Sequence, residues 1–526
     1  MTFSDDITDL PTALQRIAQL VDLVDKLTKT VGLQAARIAE LEEKLRQNSS
    51  NSSKPPSSDG PAHKPTRTPK KKSGRKPGGQ PGHAKRERPL LPADQARRLV
   101  DSVPDVCEHC GSDQLDDDPS PHRHQVVDLP PLAPVFDECR RHARRCRECA
   151  HVTVGPLPAD LSSLGFGPGV DAMVGQLTGE QRLSKRATAE AMTEVFGVPM
   201  STGAVVDAQT RVSAALAAPV AEATQHAQAQ LVKNADETPW WQGTERAYLW
   251  VCVTSLVTVF QVHLTRNAKA AKTLLGKEGG VLGTDRYSGY AWWPAGQRQV
   301  CWAHLVRDFV AIAERGGESG QLGEALLAQA ETLFEHWHAF KAGRLSRPTL
   351  RVYLRPVQRE VERLLDEGRS SEHPKMAGTR EKLWQVQDAL GTFAQVEGVE
   401  PTNNAGERAL RFAVVWRKMS RGAKSALGNE FVARILFARA TLRQQGRSVR
   451  RYLREACEAH RGGQAAPSLV PMAATEDSHR AGVCPLVMPG EWVPRGSMGV
   501  SPGGWLPWPC CFNNPFPKSA WSHPKR

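Results

Sequence analysis

Three acids and four cysteines stand where chemistry could be done. Asp236 lies in NADETPWW and Asp285 in GTDRYSGY, each after an apolar run and at the mouth of an aromatic-rich loop. Glu407 lies in NNAGERALR, where Asn403 or Asn404 can cap a helix and set the acid in its first turn. Carboxylates are hard ligands suited to Mg²⁺ or Mn²⁺. Two such ions about 4 Å apart activate an attacking oxygen and stabilise a leaving one in phosphodiester cleavage. Either aspartate alone reads equally as a turn or cap residue. Glu397 and Glu400 compete with Glu407 for the third position.

The cysteines call for a different ion. Cys107 and Cys110 form a Cys-x-x-Cys pair in CEHCG, and Cys146 and Cys149 form another in CRECA. Two such pairs can give four thiolates to one tetrahedral Zn²⁺, a closed set that is structural rather than catalytic. Gly111 suits the tight turn after the first pair. Cys139 and His109 are possible substitute ligands, and a reduced, metal-free set is the alternative. The cysteine count of 11 is odd, which in a reducing compartment favours metal over disulfides. HQVVDLP and PVFDECRRHARR are expected as short strands bridging the pairs, within a zinc-binding domain over 104–160.

The acids need a scaffold. QLVKNADETPWW, ERAYLWVCVTS and TVFQVHLTR read as three consecutive strands, NAKAAKTLLG as a helix, GGVLGTDRYSGY as a fourth strand and QRQVCWAHL as a fifth. That order is the plan of a ribonuclease-H-like α/β core, in which the ends of the first and fourth strands come together. The core is expected over 229–460, with a helical insertion at about 303–396. Residues 168–222 read as helix, turn and helix, with Ser201 or Thr202 as the second cap. This resembles a helix-turn-helix DNA reader, although any helical hairpin gives the same pattern. From Arg408 to Arg454 there are thirteen Lys or Arg against one acid, Glu430, which suits a DNA-facing helix pair or a solvated face.

Upstream, residues 10–46 carry Ile17, Val24, Val31, Ile38 and Leu45 in one heptad seam. Leu20, Leu27 and Leu41 fill the second seam, interrupted by Gln34. β-Branched residues in one seam and Leu in the other favour a parallel homodimeric coiled coil over a helix packed on its own protein. Residues 47–98 are a Ser/Pro/Gly/Lys-rich linker with no material for a core, expected to be disordered alone. Between Lys54 and Arg98 it holds thirteen Lys or Arg against three acids, so it reads as a phosphate-neutralising arm or a solvated linker. The net charge of +13 suits a polyanionic partner. A length of 526 residues implies several domains. There is no long apolar run and no basic, apolar leader, so a cytoplasmic protein without membrane contact is expected.

In their order, NSSNSSKPPSSDGP, GRKPGGQPGH, CEHCG with CREC, NADETPWW, TDRYSGY, CWAHLVRDF, TNNAGERALR and RQQGRSV resemble the transposases of the insertion sequence 66 family over residues 10 to about 460. The resemblance implies DDE carboxylates at Asp236, Asp285 and Glu407, and a ribonuclease-H-like core. It also implies binding to terminal inverted repeats in double-stranded DNA, metal-dependent strand transfer, nucleoid association and accessory proteins from the same element. Thr402 stands where the family often has an Asp. His304 and Arg307, in the CWAHLVRDF block, are expected to support the site or hold DNA. Lys70, Lys71, Lys72, Arg75, Lys76, Arg408, Arg411, Arg417 and Lys418 are the expected DNA contacts. Two rivals stay open: a nuclease on the same core without strand transfer, and a catalytically decayed zinc-containing DNA-binding protein. Residues 464–526, Pro- and Trp-rich without periodicity, are expected to be an irregular tail without function.

Overall fold

The computed structural model describes residues 10–46, 88–116, 122–158, 161, 164–367, 381 and 383–471. The candidate DNA contacts Lys70, Lys71, Lys72, Arg75 and Lys76 lie outside the described residues, as do most of the expected linker and the tail from residue 472. Helix α1 (Leu10–Arg46) is one unbroken rod. Ile17, Leu20, Val24, Leu27, Val31, Ile38 and Leu41 are all exposed along it. Residues 88–116 and 122–128 are irregular, and the Gln125 amide both donates to and accepts from the Leu91 backbone. The strand expected in HQVVDLP does not form, and Val126 is 84% exposed. A strand needs a partner ladder, and among the described residues none pairs with this run. Strands β1 (Ala143–Arg145) and β2 (Val152–Val154) make a small antiparallel hairpin, exposed throughout, with Cys146 and Cys149 in its turn.

Helices α2 (Pro168–Gly175), α3 (Lys185–Glu194) and α4 (Thr202–Gln228) follow. Ser184 caps α3 and Ser201, not Thr202, caps α4, each hydroxyl accepting from the amide three residues on. α4 is long, and its Val212, Ala215, Leu216, Ala223 and Ala227 are buried in the same core as the sheet. Asp171 on α2 is buried and paired to Arg211 on α4 at 2.7 Å, and also to Arg461.

The sheet has the order β5-β4-β3-β6-β7. β3 (Val232–Gln242) and β4 (Glu245–Val253) form a hairpin over a two-residue turn, where Gly243 at φ 59° supplies the positive dihedral that twisted hairpins need. β5 (Thr258–His263) adds antiparallel to β4. Helix α5 (Ala268–Leu275) crosses back, and β6 (Val281–Thr284) and β7 (Arg298–Val300) extend the other edge in parallel. Both are buried on both faces: β6 shows no polar alternation, and β7 buries Arg298 and Gln299 beside Val300. The fifth strand is shorter than expected. The chain turns at Cys301 and CWAHL opens helix α6 (Trp302–Ala313) instead, because the Pro401 carbonyl takes the Trp302 amide at 2.9 Å and closes the edge. Trp240, Trp250 and Trp293 are fully buried in the core of the sheet. Each contributes on the order of 4 kcal/mol of apolar burial.

Helices α6, α7 (Gly317–Lys341), α8 (Arg347–Glu367) and the short α9 (Thr392–Gln395) enclose a core of their own around Trp302, Phe309, Leu333, Trp337 and Phe393. Then α10 (Asn404–Ser420), α11 (Ala426–Gln444) and α12 (Val449–Arg461) return to the sheet. The chain stays packed past residue 464: Leu469 is buried and its carbonyl accepts from Gln445 at 2.8 Å. Among the described residues no helix is long and apolar enough to cross a membrane.

Candidate active site

Asp236 lies within β3, not at its end, yet it stands where the parallel ladder with β6 stops. That ladder pairs Asn234 with Gly283, and two residues further on each strand come Asp236 and Asp285. Each Asp is held by one backbone amide on its Oδ1: Glu237 N donates to Asp236 at 2.8 Å and Tyr287 N to Asp285 at 2.9 Å. This fixes the carboxylate rotation and leaves the second oxygen for other ligands.

Glu407 arrives from α10. Asn403 is the residue before that helix, but its side chain does not cap it; Nδ2 donates instead to the Ala235 carbonyl of β3 at 2.8 Å. Gly406 faces the same strand, and a Cβ there would lie 3.0 Å from Asp236 Cβ. A side chain at 406 would push the helix, and Glu407 with it, away from the aspartate. Of the competing acids, Glu400 pairs with Lys341 at 3.1 Å and Glu397 is exposed.

The cluster is electrostatically crowded. Burial holds the Asp236 carboxyl well above the usual range, and the charges of Glu237, Asp285 and Glu407 push it the same way. Glu407 is raised by burial and by Asp285, against the pull of Arg307 and Arg408. Acids that repel one another in a partly dry site are a fit for divalent cations, which would remove the repulsion.

Several residues at the site are not evident from sequence spacing. Glu237, the next residue after Asp236, is clamped: Arg266 donates to Oε1 at 2.8 Å and the Tyr290 hydroxyl to Oε2. Both of its oxygens are used, which sets it apart from the three ligand candidates. The Arg266 guanidinium lies over the Tyr287 ring, 4.0 Å from its centroid. Arg286 pairs with Asp308 on α6. The ADET motif was the only available signal for Glu237; its partners lie too far along the chain to be read from spacing.

His304 sits on the first turn of α6, with Nδ1 3.7 Å from Glu407 Oε1. Burial and the Arg307 charge push its pKa down to about 4, so the imidazole is neutral at ordinary pH. Arg408, Arg411 and Lys418 on α10 are exposed. Arg417 is not available in the same way, because its guanidinium bonds the Thr238 hydroxyl at 2.8 Å and the Pro239 carbonyl. Further along the basic stretch, arginines serve packing. Arg439 lies 3.7 Å from the Phe412 ring centroid, Arg443 pairs with the buried Glu180, and Arg434 donates to Ser213 at 2.9 Å.

The two cysteine pairs share one local geometry. The Cys107 amide donates to the Ser112 carbonyl at 2.8 Å, and the Gly111 amide donates to the Cys107 carbonyl at 2.8 Å. In the second pair Cys146 N donates to His151 O at 2.8 Å and Ala150 N to Cys146 O at 3.0 Å. The thiols of Cys107 and Cys146 are lowered, first by the backbone amides of Cys110 and Cys149 respectively. Amides aimed at sulfur favour the thiolate, the form that binds metal.

Against known families, residues 184–430 match the Transposase IS66 family. The matched segment is similar to the transposases of that family. Residues 8–89 match a family of unknown function, DUF6444. No curated protein matches the chain. The matched segment contains β3, β6 and α10, and so all three candidate acids fall inside it.

Proposed function

We propose that the chain is a DDE transposase that binds the terminal inverted repeats of its element and cuts and joins DNA on a ribonuclease-H-like core. The observation that carries this is the charge interaction among Asp236 and Asp285, at the ends of a parallel ladder, and Glu407, from a helix drawn in at Gly406. The sheet order, three antiparallel strands followed by two parallel ones, supports the core assignment. Asp236, Asp285 and Glu407 would hold Mg²⁺ or Mn²⁺, which activates the attacking oxygen and stabilises the leaving one. The protein's own part is placement. The Glu237 and Tyr287 amides fix the two aspartates, Asn403 ties α10 to β3, and the Arg266–Glu237–Tyr290 clamp keeps the neighbouring acid out of the ligand set.

Cys107, Cys110, Cys146 and Cys149 are proposed as structural Zn²⁺ ligands. The exposed Arg408, Arg411 and Lys418 would meet DNA phosphate, with Lys70, Lys71, Lys72, Arg75 and Lys76 adding non-specific affinity that falls with salt. Exposed heptad seams on α1 support a homo-oligomer through that helix. Accessory proteins of the same element remain expected partners.

The test is Mg²⁺-dependent cleavage and joining of a labelled duplex carrying the element's end, comparing the native chain with Asp236→Ala. The variant should lose at least about a hundredfold in rate, the upper end for disturbing a ligand's support. Its thermal stability without metal should hold or rise, because one of several mutually repelling acids is gone. End-specific cleavage without joining would favour the nuclease, and binding without chemistry the decayed copy.

A further inference from the structure

Beside the acidic cluster lies a set of donors that hard-ion chemistry does not need. Cys301 Sγ, a His304 ring nitrogen and a Glu407 carboxylate oxygen all lie within 4.8 Å of one another. Cys301 is the last residue before α6, and His304 stands on the helix's first turn, so the spacing places both on one side of its start. Two further observations mark the spot. His304 Nδ1 and Asn403 Oδ1 are buried with no hydrogen-bond partner. The Asn403 amide donates to Cys301 Sγ at 3.1 Å, the N–H to sulfur contact that supports a metal-bound thiolate.

We propose that Cys301, His304 and Glu407 form a second metal site, selective for a thiophilic divalent ion such as Zn²⁺, and that filling it withdraws Glu407 from the carboxylate cluster. Around a tetrahedral zinc, sulfur, nitrogen and oxygen ligands lie about 3.4–3.6 Å apart. The His304–Glu407 pair, at 3.7 Å, is already near that spacing. Cys301 Sγ lies within 4.8 Å of both. Its thiol, held up at about 11 by burial, would give up its proton to solvent as the ion binds. The partly exposed Glu407 and His304 side chains offer the entry path, and three protein ligands leave a fourth position for water. Mg²⁺ takes oxygen and not thiolate, so the two ions divide the neighbourhood by chemistry and compete only for Glu407. Zinc is then an inhibitor of the Mg²⁺ reaction; this second half rests on the transposase reading.

The experiment separates the halves. Full-length native and Cys301→Ser proteins are titrated with Co²⁺, and the difference spectrum cancels whatever the exposed cysteine pairs contribute. Extra near-ultraviolet thiolate-to-cobalt absorbance in the native chain over Cys301→Ser, reduced in Glu407→Gln, is expected. Identical spectra for native and Cys301→Ser proteins would overturn the site whatever the catalytic assay shows. Should Cys301→Ser fold poorly, Cys301→Ala and His304→Gln are read in the same way.

In the joining assay Zn²⁺ should inhibit the native enzyme, and Cys301→Ser should need about tenfold more zinc, or greater, for the same effect. Equal zinc sensitivity would overturn the inhibitory role. A Cys301-dependent cobalt band with no joining by any protein would defeat the transposase reading while leaving the site in place.

Discussion

The cysteine pairs and the carboxylate cluster are both candidate metal sites, and they are built in opposite ways. Cys110, Cys146 and Cys149 are exposed, and the β1–β2 hairpin around the second pair buries none of its strand residues. Among the described residues those turns are held by polar contacts: backbone hydrogen bonds, and the Arg145 guanidinium on the Ala150 carbonyl at 2.9 Å. The carboxylates hang from a sheet whose core holds Trp240, Trp250, Leu249 and Phe437, all buried. A site with a core behind it exists before its ion arrives and can be strained by its own charges. A site without one relies on the ion for its fold. On the proposed reading a metal would stabilise structure in one place and enable chemistry in the other.

The sharpest way to break this contrast is to remove the metals. Chelation, or Cys146→Ser, should release zinc and make residues around 104–158 sensitive to protease, a loss of most of the local stability there. The sheet should be untouched: its thermal transition should move by no more than about 2 °C, the shift expected of a small perturbation in a domain of this size. Limited proteolysis beside calorimetry reads both. Collapse of the sheet on chelation would show that the two regions are not independent.

A middle-sized effect is expected at Asn403. It is buried, and its Nδ2 is the partner of the Ala235 carbonyl just beyond the last β3–β6 pair. Asn403→Leu would leave that carbonyl without this donor, at a cost of about 1–3 kcal/mol. Because the bond also fixes the approach of α10, joining activity should fall further than stability alone explains. Denaturant unfolding and single-turnover rates separate the two. If activity falls only in proportion to folded protein, Asn403 is a structural tie and Glu407 is placed by other means.

How much of this was legible in the sequence follows from what repeats. Strand-like runs separated by short polar links marked the strands of the sheet, and apolar seams marked α1. The register that sets Asp236 beside Asp285 was approachable because each acid closes a short apolar run. Contacts across long stretches of chain carry no such period. Glu237 differs from Asp236 only in its partners, Arg266 and Tyr290, which lie 29 and 53 residues away. Arg417 looked like Arg411 on a charge count, yet a helix turn points it at β3. The fifth strand reads too long for the same reason: Val300 and Leu305 are both apolar, but the Pro401 carbonyl ends the edge between them. Asn403 resembled a cap because Asn before a helix usually is one. Only the position of the Ala235 carbonyl diverts it.

The smallest predicted effect tests whether the cysteine turns are limited by their backbone. In the first pair the residue after the second cysteine is Gly111 at φ 72°, and in the second it is Ala150 at φ 59°. The turn is the same, but a Cβ in the left-handed region costs about 1–2 kcal/mol per residue. Glycine would remove that strain and give back part of the gain through a more flexible unfolded chain. Ala150→Gly should therefore stabilise the second turn by about 0.5–1 kcal/mol, read as two- to fivefold slower loss of zinc to a chelator. Gly111→Ala should do the reverse at the first turn. If Ala150→Gly instead loosens zinc, the hairpin holds its turn by pairing across β1 and β2, and this exposed region has more intrinsic order than its lack of a core implies.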